Sequence, residues 1–203
     1  QRFFDLCIVP AHDERKGRNI IETTGAMNLI APNQHLDTAN GLFLVGGPSQ
    51  HHEWDPDSLS QQISDVLKAS PEIRWTLTNS RRTPPETMDS LQKQFSEKAH
   101  LVPVENTGAE WLPRELARSR YVWVTEDSVS MIYEALSSGA KVGVLPVPRK
   151  SKNSRVIRGV DQLIQNGHVW PYRPEQCDLA NFKAPAPLNE AARVAQIVAQ
   201  RFF

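Results

Sequence analysis

The chain has 203 residues, with 23 Lys and Arg balanced by 23 Asp and Glu, so its formal charge at pH 7 is zero. That balance excludes a bulk polyanion binder, and nucleic acid is not an expected partner. The length suffices for one large domain, or for one domain with part of another, and the 39% hydrophobic content excludes wholesale disorder.

No apolar run approaches the ~18 residues a membrane helix needs, and no basic segment followed by an apolar stretch marks a signal peptide. Cys7 and Cys177 are far apart and lack a CxxC partner, so neither a disulfide framework nor a cysteine zinc site is expected. A soluble protein of a reducing, cytoplasmic compartment is expected. The chain starts at Gln1, and Phe3 to Val9 already has the apolarity of a core strand. This suggests a fragment or processed chain, with exposed apolar surface around Phe3, Phe4 and Ile20.

Short apolar runs alternate with amphipathic stretches, the pattern of a parallel sheet with crossover helices. Strands are expected at Leu6 to Val9, Ile20 to Thr23, Leu42 to Val45, Ile73 to Thr78, Leu101 to Val104, Tyr121 to Thr125 and Val142 to Leu145. Asp55 caps a helix begun by Pro56, with Leu59, Ile63, Val66 and Leu67 on one face. Thr83 and Glu86 form a capping box ahead of Met88, Leu91 and Phe95. Asp127 or Ser128 caps a helix that Gly139 stops. Val156, Ile157, Val160, Leu163 and Ile164 form another stripe, ended by Gly167. A last helix follows Asn189, with Ala192, Ala195, Val198 and Phe202 recurring at near-helical spacing. The Pro-rich segment from Trp170 to Pro187 reads as a surface crossing, and Ala31 to Asn40 as an interdomain linker. From about Gly41 onward the elements make one doubly wound α/β domain of Rossmann type.

Ligands of such sheets bind beyond the carboxyl ends of the strands, which selects three loops. Gly46-Gly47-Pro48-Ser49 offers two residues without Cβ and a hydroxyl, but neither GxGxxG nor a P-loop lysine. It is a phosphate-approach loop or only a tight turn. Asn79-Ser80-Arg81-Arg82-Thr83-Pro84 puts two guanidiniums before a helix start, a phosphate site or a pair of solvated arginines. In Glu126-Asp127-Ser128-Val129-Ser130, small hydroxyl residues leave a helix N-terminus accessible to a second phosphate, and Glu134 could hold a ribose diol. The bland alternative is that Asp127 and Ser128 merely cap while Glu134 pairs with a cation. The convergence of the three loops points to a nucleoside-diphosphate ligand.

Two other groups stay ambiguous. His51-His52 with Glu53 and Asp55 lacks a third ligand at metal spacing, so no metal is expected. The basic run from Arg149 to Arg158 is a solvated loop, or it attracts an anionic donor or membrane surface.

The strings Ile8-Val9-Pro10-Ala11-His12-Asp13, Thr24-Gly25-Ala26-Met27-Asn28, Gly46-Gly47-Pro48-Ser49, Asn79-Ser80-Arg81-Arg82-Thr83-Pro84 and Val124-Thr125-Glu126-Asp127-Ser128-Val129-Ser130-Met131, with Glu134-Ala135, resemble the Elm-type mitochondrial fission protein family. Its members, from bacteria and plants, are regarded as GT-B type glycosyltransferases. The resemblance spans about residues 5 to 170. It implies the C-terminal half of a two-domain fold, with residues 1–35 a remnant of the first, acceptor-side domain, 36–187 the nucleotide-sugar domain and 188–203 a C-terminal helix. It further implies that Gly46, Gly47, Ser49, Ser80, Arg81, Arg82, Asp127, Ser128 and Ser130 surround the diphosphate and that Glu134 holds the ribose. His12 and Asp13 follow a strand of the first domain and are the candidate bases, the alternative being that His12 simply caps a loop. The substrate is then a UDP- or GDP-sugar, with no cofactor and an unknown acceptor, a lipid-linked one at a membrane surface included.

Glu126 departs from the small or neutral residue common in this loop, and a carboxylate there disfavours a diphosphate unless an arginine pairs with it or it binds the sugar. A nucleoside-diphosphate-sugar epimerase, using Glu126, Asp127 and His12, and a non-catalytic contact module are the alternative readings.

Overall fold

A computed structural model describes residues 4–33, 36–151 and 154–203. Phe3, and Lys152 of the basic run, lie outside them.

Two parallel sheets form. In the smaller, β1 (Cys7–Pro10) pairs with β2 (Ile20–Thr23). The larger holds β3 (Asp37–Val45), β4 (Arg74–Asn79), β5 (Ala99–Val102), β6 (Ser119–Thr125), β7 (Lys141–Leu145) and β8 (Trp170–Pro171), in the order β5-β4-β3-β6-β7-β8. The winding reverses between β3 and β6, and this reversal sets where ligands of such sheets bind.

The central strands are apolar on both faces because both are covered. Phe43, Val45, Trp75 and Trp123 face a layer that includes α1 (Pro56–Ala69) and α2 (Pro85–Phe95). Leu42, Leu44, Val122 and Val124 face α3 (Trp111–Arg118), α4 (Val129–Ser138) and α5 (Arg155–Gln165). Helix punctuation behaves as expected at Asp55, whose carboxylate accepts from Ser58 N at 3.0 Å, and at Gly139, left-handed with φ 88°.

Several sequence expectations change, among them the cap of α4, which neither the Asp127 nor the Ser128 side chain supplies. β3 begins at Asp37, so the end of the supposed linker, Ala31 to Asn40, belongs to the sheet. The segment from Trp170 to Pro187 contributes β8 and buries Cys177, Leu179 and Phe182 against the α1–α2 layer. Its Pro-rich composition signals irregular backbone, while three apolar anchors and the Trp170–Phe182 ring contact at 5.4 Å decide its burial. Thr83 does not cap α2, which starts at Pro85 with no side-chain cap. On α6 (Glu190–Phe202), capped by Asn189 as expected, the buried position is Val194, not Ala192, Ala195 or Phe202.

The small sheet is fastened to α4 and α6. Thr24 N donates to Glu190 at 2.9 Å, Arg193 donates to the Glu22 carbonyl at 2.6 Å, and Asn28 donates to Ser137 Oγ at 3.0 Å. Phe4 is exposed as expected, together with Ile8, while Ile20 is half-buried.

The two tryptophans of the α1–α2 layer lie flat over glycines of neighbouring strands. A Cβ at Gly143 would stand 2.4 Å from the Trp123 ring, which is fully buried. Gly143→Ala is therefore expected to lower the unfolding free energy by about 1–3 kcal/mol, the usual cost of overpacking a core. Urea denaturation measures it, and an unchanged midpoint would contradict this packing.

Candidate functional site

The carboxyl ends of β3, β4 and β6 bring the three loops together at the reversal of strand order. Arg82 joins them. Its guanidinium donates to the Gly47 carbonyl at 2.8 Å, the Pro48 carbonyl at 3.1 Å, Asp127 Oδ2 at 2.8 Å and Ser128 Oγ at 3.2 Å. Asp127 Oδ2 also accepts from Gly47 N at 3.0 Å and from Ser128 Oγ at 3.1 Å. The Asp127 side chain is 0% exposed, so the carboxylate has exchanged water for these donors.

Two threonines stitch the same loops. Thr83 Oγ1 accepts from Ser80 N at 2.9 Å and donates to the Gly46 carbonyl, and Thr125 Oγ1 accepts from Gly46 N at 2.8 Å. The glycines are demanded by this packing. A Cβ at Gly46 would lie 2.1 Å from Ser128 Oγ, and one at Gly47 would lie 2.2 Å from the Arg82 carbonyl.

Several residues assigned from sequence to the diphosphate are thus occupied by the protein itself. Gly47 N, Arg82 and the Ser128 hydroxyl meet at Asp127 Oδ2, Gly46 is held by Thr125 and Thr83, and Asp127 Oδ1 is buried with no hydrogen-bond partner among the described residues. Ser80 Oγ accepts from Arg82 N at 3.2 Å, and Ser49 Oγ accepts from His51 N and His52 N at 3.2 and 3.1 Å. Sequence reasoning missed Thr83 and Thr125 in this role. A capping box was the stronger local pattern at Thr83, and the bond across strands has no local signature.

The groups left open are fewer. Arg81 is exposed and forms no ion pair among the described residues. α4 begins without a side-chain cap, so its first-turn N–H groups are available, with exposed Ser130 beside them. Glu134, half-buried in the second turn of α4, has its carboxyl pushed above the usual range by burial.

Glu126 is buried and pairs with Arg149, whose Nε lies 2.6 Å from Oε1. Arg149 also forks onto Asp161 of α5, at 2.7 and 3.2 Å. The condition that sequence attached to Glu126, an arginine partner, is therefore met. Arg149 consequently leaves the basic run for an ion-pair network, and Arg155 and Arg158 approach Asp13 and Glu14 at 3.8 and 3.6 Å. His12 packs on α5 at Gly159. Among the described residues no group of three or more His, Cys, Asp or Glu is placed to hold a metal ion, and no helix is long and apolar enough to cross a membrane. Cavities of about 590 and about 660 Å³ lie elsewhere and include no residue of the three loops.

A family model described as Mitochondrial fission ELM1 matches residues 1–202. The chain belongs to that family. It is 24% identical over 204 residues to the "Uncharacterized protein RP120" of Rickettsia prowazekii (strain Madrid E), covering 92% of this chain and 56% of that one. The ELM1-family chain thus spans little more than half the length of this curated relative. Among solved structures, a Listeria monocytogenes protein described as a "putative UDP-N-acetylglucosamine 2-epimerase" superposes with TM-score 0.54 at 16% identity, over 80% of this chain and 44% of that one. This likeness establishes the shared fold. The Escherichia coli heptosyltransferase WaaC with ADP gives TM-score 0.45 at 14% identity, over 81% and 46% of the two chains, too distant to carry an argument.

Two predictions come from this geometry. Removing Arg82 leaves a buried carboxylate unpaired, a loss of about 3–5 kcal/mol for a fully buried pair. Because the Arg82 side chain is 44% exposed and screened by solvent, Arg82→Ala is expected to cost about 1–3 kcal/mol. Arg81→Ala should stay within about 0.5 kcal/mol. Equal effects in urea denaturation would contradict the division of roles.

His52 is buried beside Ser49, and burial lowers its pKa against the opposing pull of Glu126 and Asp127. Its folded form therefore binds fewer protons than its unfolded form below the ordinary value of 6.5. Its contribution is complete above that value and is lost as pH falls through it. Unfolding free energies at about pH 7.5 and 5.5 should differ more for wild type than for His52→Asn, and parallel profiles would contradict it.

Proposed function

We propose that the chain is the donor-binding part of a GT-B type glycosyltransferase that uses a nucleoside-diphosphate sugar, UDP- or GDP-linked. The observation that supports this reading is the uncapped start of α4 at the reversal point of the sheet, in the loop that Arg82 grips, with the exposed Arg81, which forms no ion pair among the described residues, next to Arg82 in the chain. Backbone donors and the positive end of the helix dipole favour a diphosphate there, and Arg81 supplies the neutralising fork. Glu134, one and a half turns along the same helix, would accept from a ribose diol, a role supported by its half-buried carboxyl, whose pKa burial raises.

In this reading the nucleotide-sugar domain is residues 36–187, and 188–203 is the helix that ties it to the small sheet. Residues 1–35 belong to the acceptor-side domain, supported by β1 and β2 forming a separate sheet too small for independent stability. The departing diphosphate is stabilised by the α4 N-terminus and Arg81. His12 or Asp13, in the turn after β1, would serve the acceptor as base. Transfer is favoured over epimerisation because Glu126 and Asp127, the carboxylates an epimerase would use beside the sugar, are committed to Arg149 and Arg82.

Calorimetric titration of UDP and GDP into the full-length protein tests the site. Arg81→Ala and Glu134→Ala should each weaken binding about 10- to 150-fold, the equivalent of one lost charge-assisted hydrogen bond of roughly 1.5–3 kcal/mol. Unchanged affinity in both variants, or no binding by wild type, would overturn the site. A product screen then separates a transferred glycosyl group from a C2-epimerised sugar.

A further inference from the structure

At the opposite end of the sheet, where β6 and β7 begin, a cavity of about 660 Å³ is lined by Pro32, Asn33, Arg120, Gly139, Lys141, Phe182, Lys183, Ala184, Pro185 and Pro187. Three features set its chemistry. Arg120, Lys141 and Lys183 contribute three cations, and the lining contains no carboxylate. Arg120 and Lys183 form no ion pair among the described residues, and Lys141 Nζ donates only to the neutral Ala180 carbonyl. The lining also has an apolar part, from Ala184, Pro185, Pro187 and the mostly buried Phe182.

Arg120 and Lys141 lie close enough to repel, and like charges brought together raise the free energy of the fold. The pKa of Lys141 is lowered, first by burial and then by Arg120, and Asp178 opposes this only in part. The Asp178 carboxylate is occupied in holding the turn that follows it, accepting from Ala180 N at 2.7 Å and from Asn181 at 3.3 Å. The α4 carbonyl end at Gly139 supplies only a partial negative charge against three formal positive ones. The volume lies within the range of small-ligand sites, about 300–1,000 Å³.

We propose that this cavity binds a small organic phosphate, its dianion held by Arg120, Lys141 and Lys183 and its carbon skeleton against Phe182 and the prolines. The site is independent of the donor loops, which lie at the other ends of the same strands. Arginine and lysine match the two needs of such an anion, a fork for two oxygens and mobile point charges for the rest.

The test is an amide-resolved NMR titration of the protein with inorganic phosphate and, separately, with phenyl phosphate. Wild type should show saturable shifts at Asn33, Gly139, Lys141 and Ala184 with both, and tighter binding of phenyl phosphate through the apolar wall. Arg120→Gln with Lys183→Gln should weaken binding at least tenfold while the remaining amide pattern is retained. Lys183→Gln alone, at an exposed position, serves if the double variant fails to fold, and should weaken binding at least threefold. Absence of saturable shifts at those four amides, or equal affinity in the variants, would overturn the proposal. Shifts at Gly46, Gly47 and Val129 report the donor loops separately, so the two sites cannot be confused.

Discussion

The Arg82 guanidinium holds together the loops on which everything else at the sheet's carboxyl edge depends. The reversal of winding between β3 and β6 leaves a gap that ordinary backbone pairing cannot close. Asp127 fills it, its buried Oδ2 accepting from Arg82, Gly47 and Ser128 while Oδ1 has no partner among the described residues. Glycine at positions 46 and 47 is what allows those groups to approach. With Asp127 turned inward to Arg82, neither it nor Ser128 caps α4, and the helix start is left for another partner. One ion pair thus fixes the loops and exposes the dipole.

A second ion pair extends the frame. Arg149 draws Glu126 and Asp161 together, tying the loop after β6 to α5. Arg155 and Arg158 of α5 in turn approach the turn after β1. The charges near the site are therefore mostly spent on architecture. Among the described residues, Arg81 has no such ion pair.

The α/β architecture was legible in the sequence because it rests on local signals. Apolar runs such as Leu42 to Val45 and the Asp55-Pro56 start report burial and capping within a few residues. β8 was not legible, since a two-residue strand has no periodicity and is fixed by its neighbour β7. The convergence of the three loops at the carboxyl edge was also legible, through the general rule for such sheets. What each side chain does there was less accessible. Arg81 and Arg82 are adjacent and chemically identical, yet one pairs with a buried carboxylate from a loop 45 residues away and the other faces solvent. The same holds for Thr83, whose capping pattern was outweighed by the Gly46 carbonyl across the sheet. Sequence selects the loops, and tertiary contacts decide which of their groups remain free of structural duties.

The central claim is that Arg82 stays with Asp127 while Arg81 and the α4 start receive the diphosphate. A crystal structure of the full-length protein with UDP addresses it directly. The account predicts phosphate oxygens within ~3 Å of the α4 first-turn N–H groups and of the Arg81 guanidinium, with the Arg82 to Asp127 pair intact. A complex in which Arg82 leaves Asp127 to grip the phosphates, or in which the nucleotide lies away from α4, would contradict it.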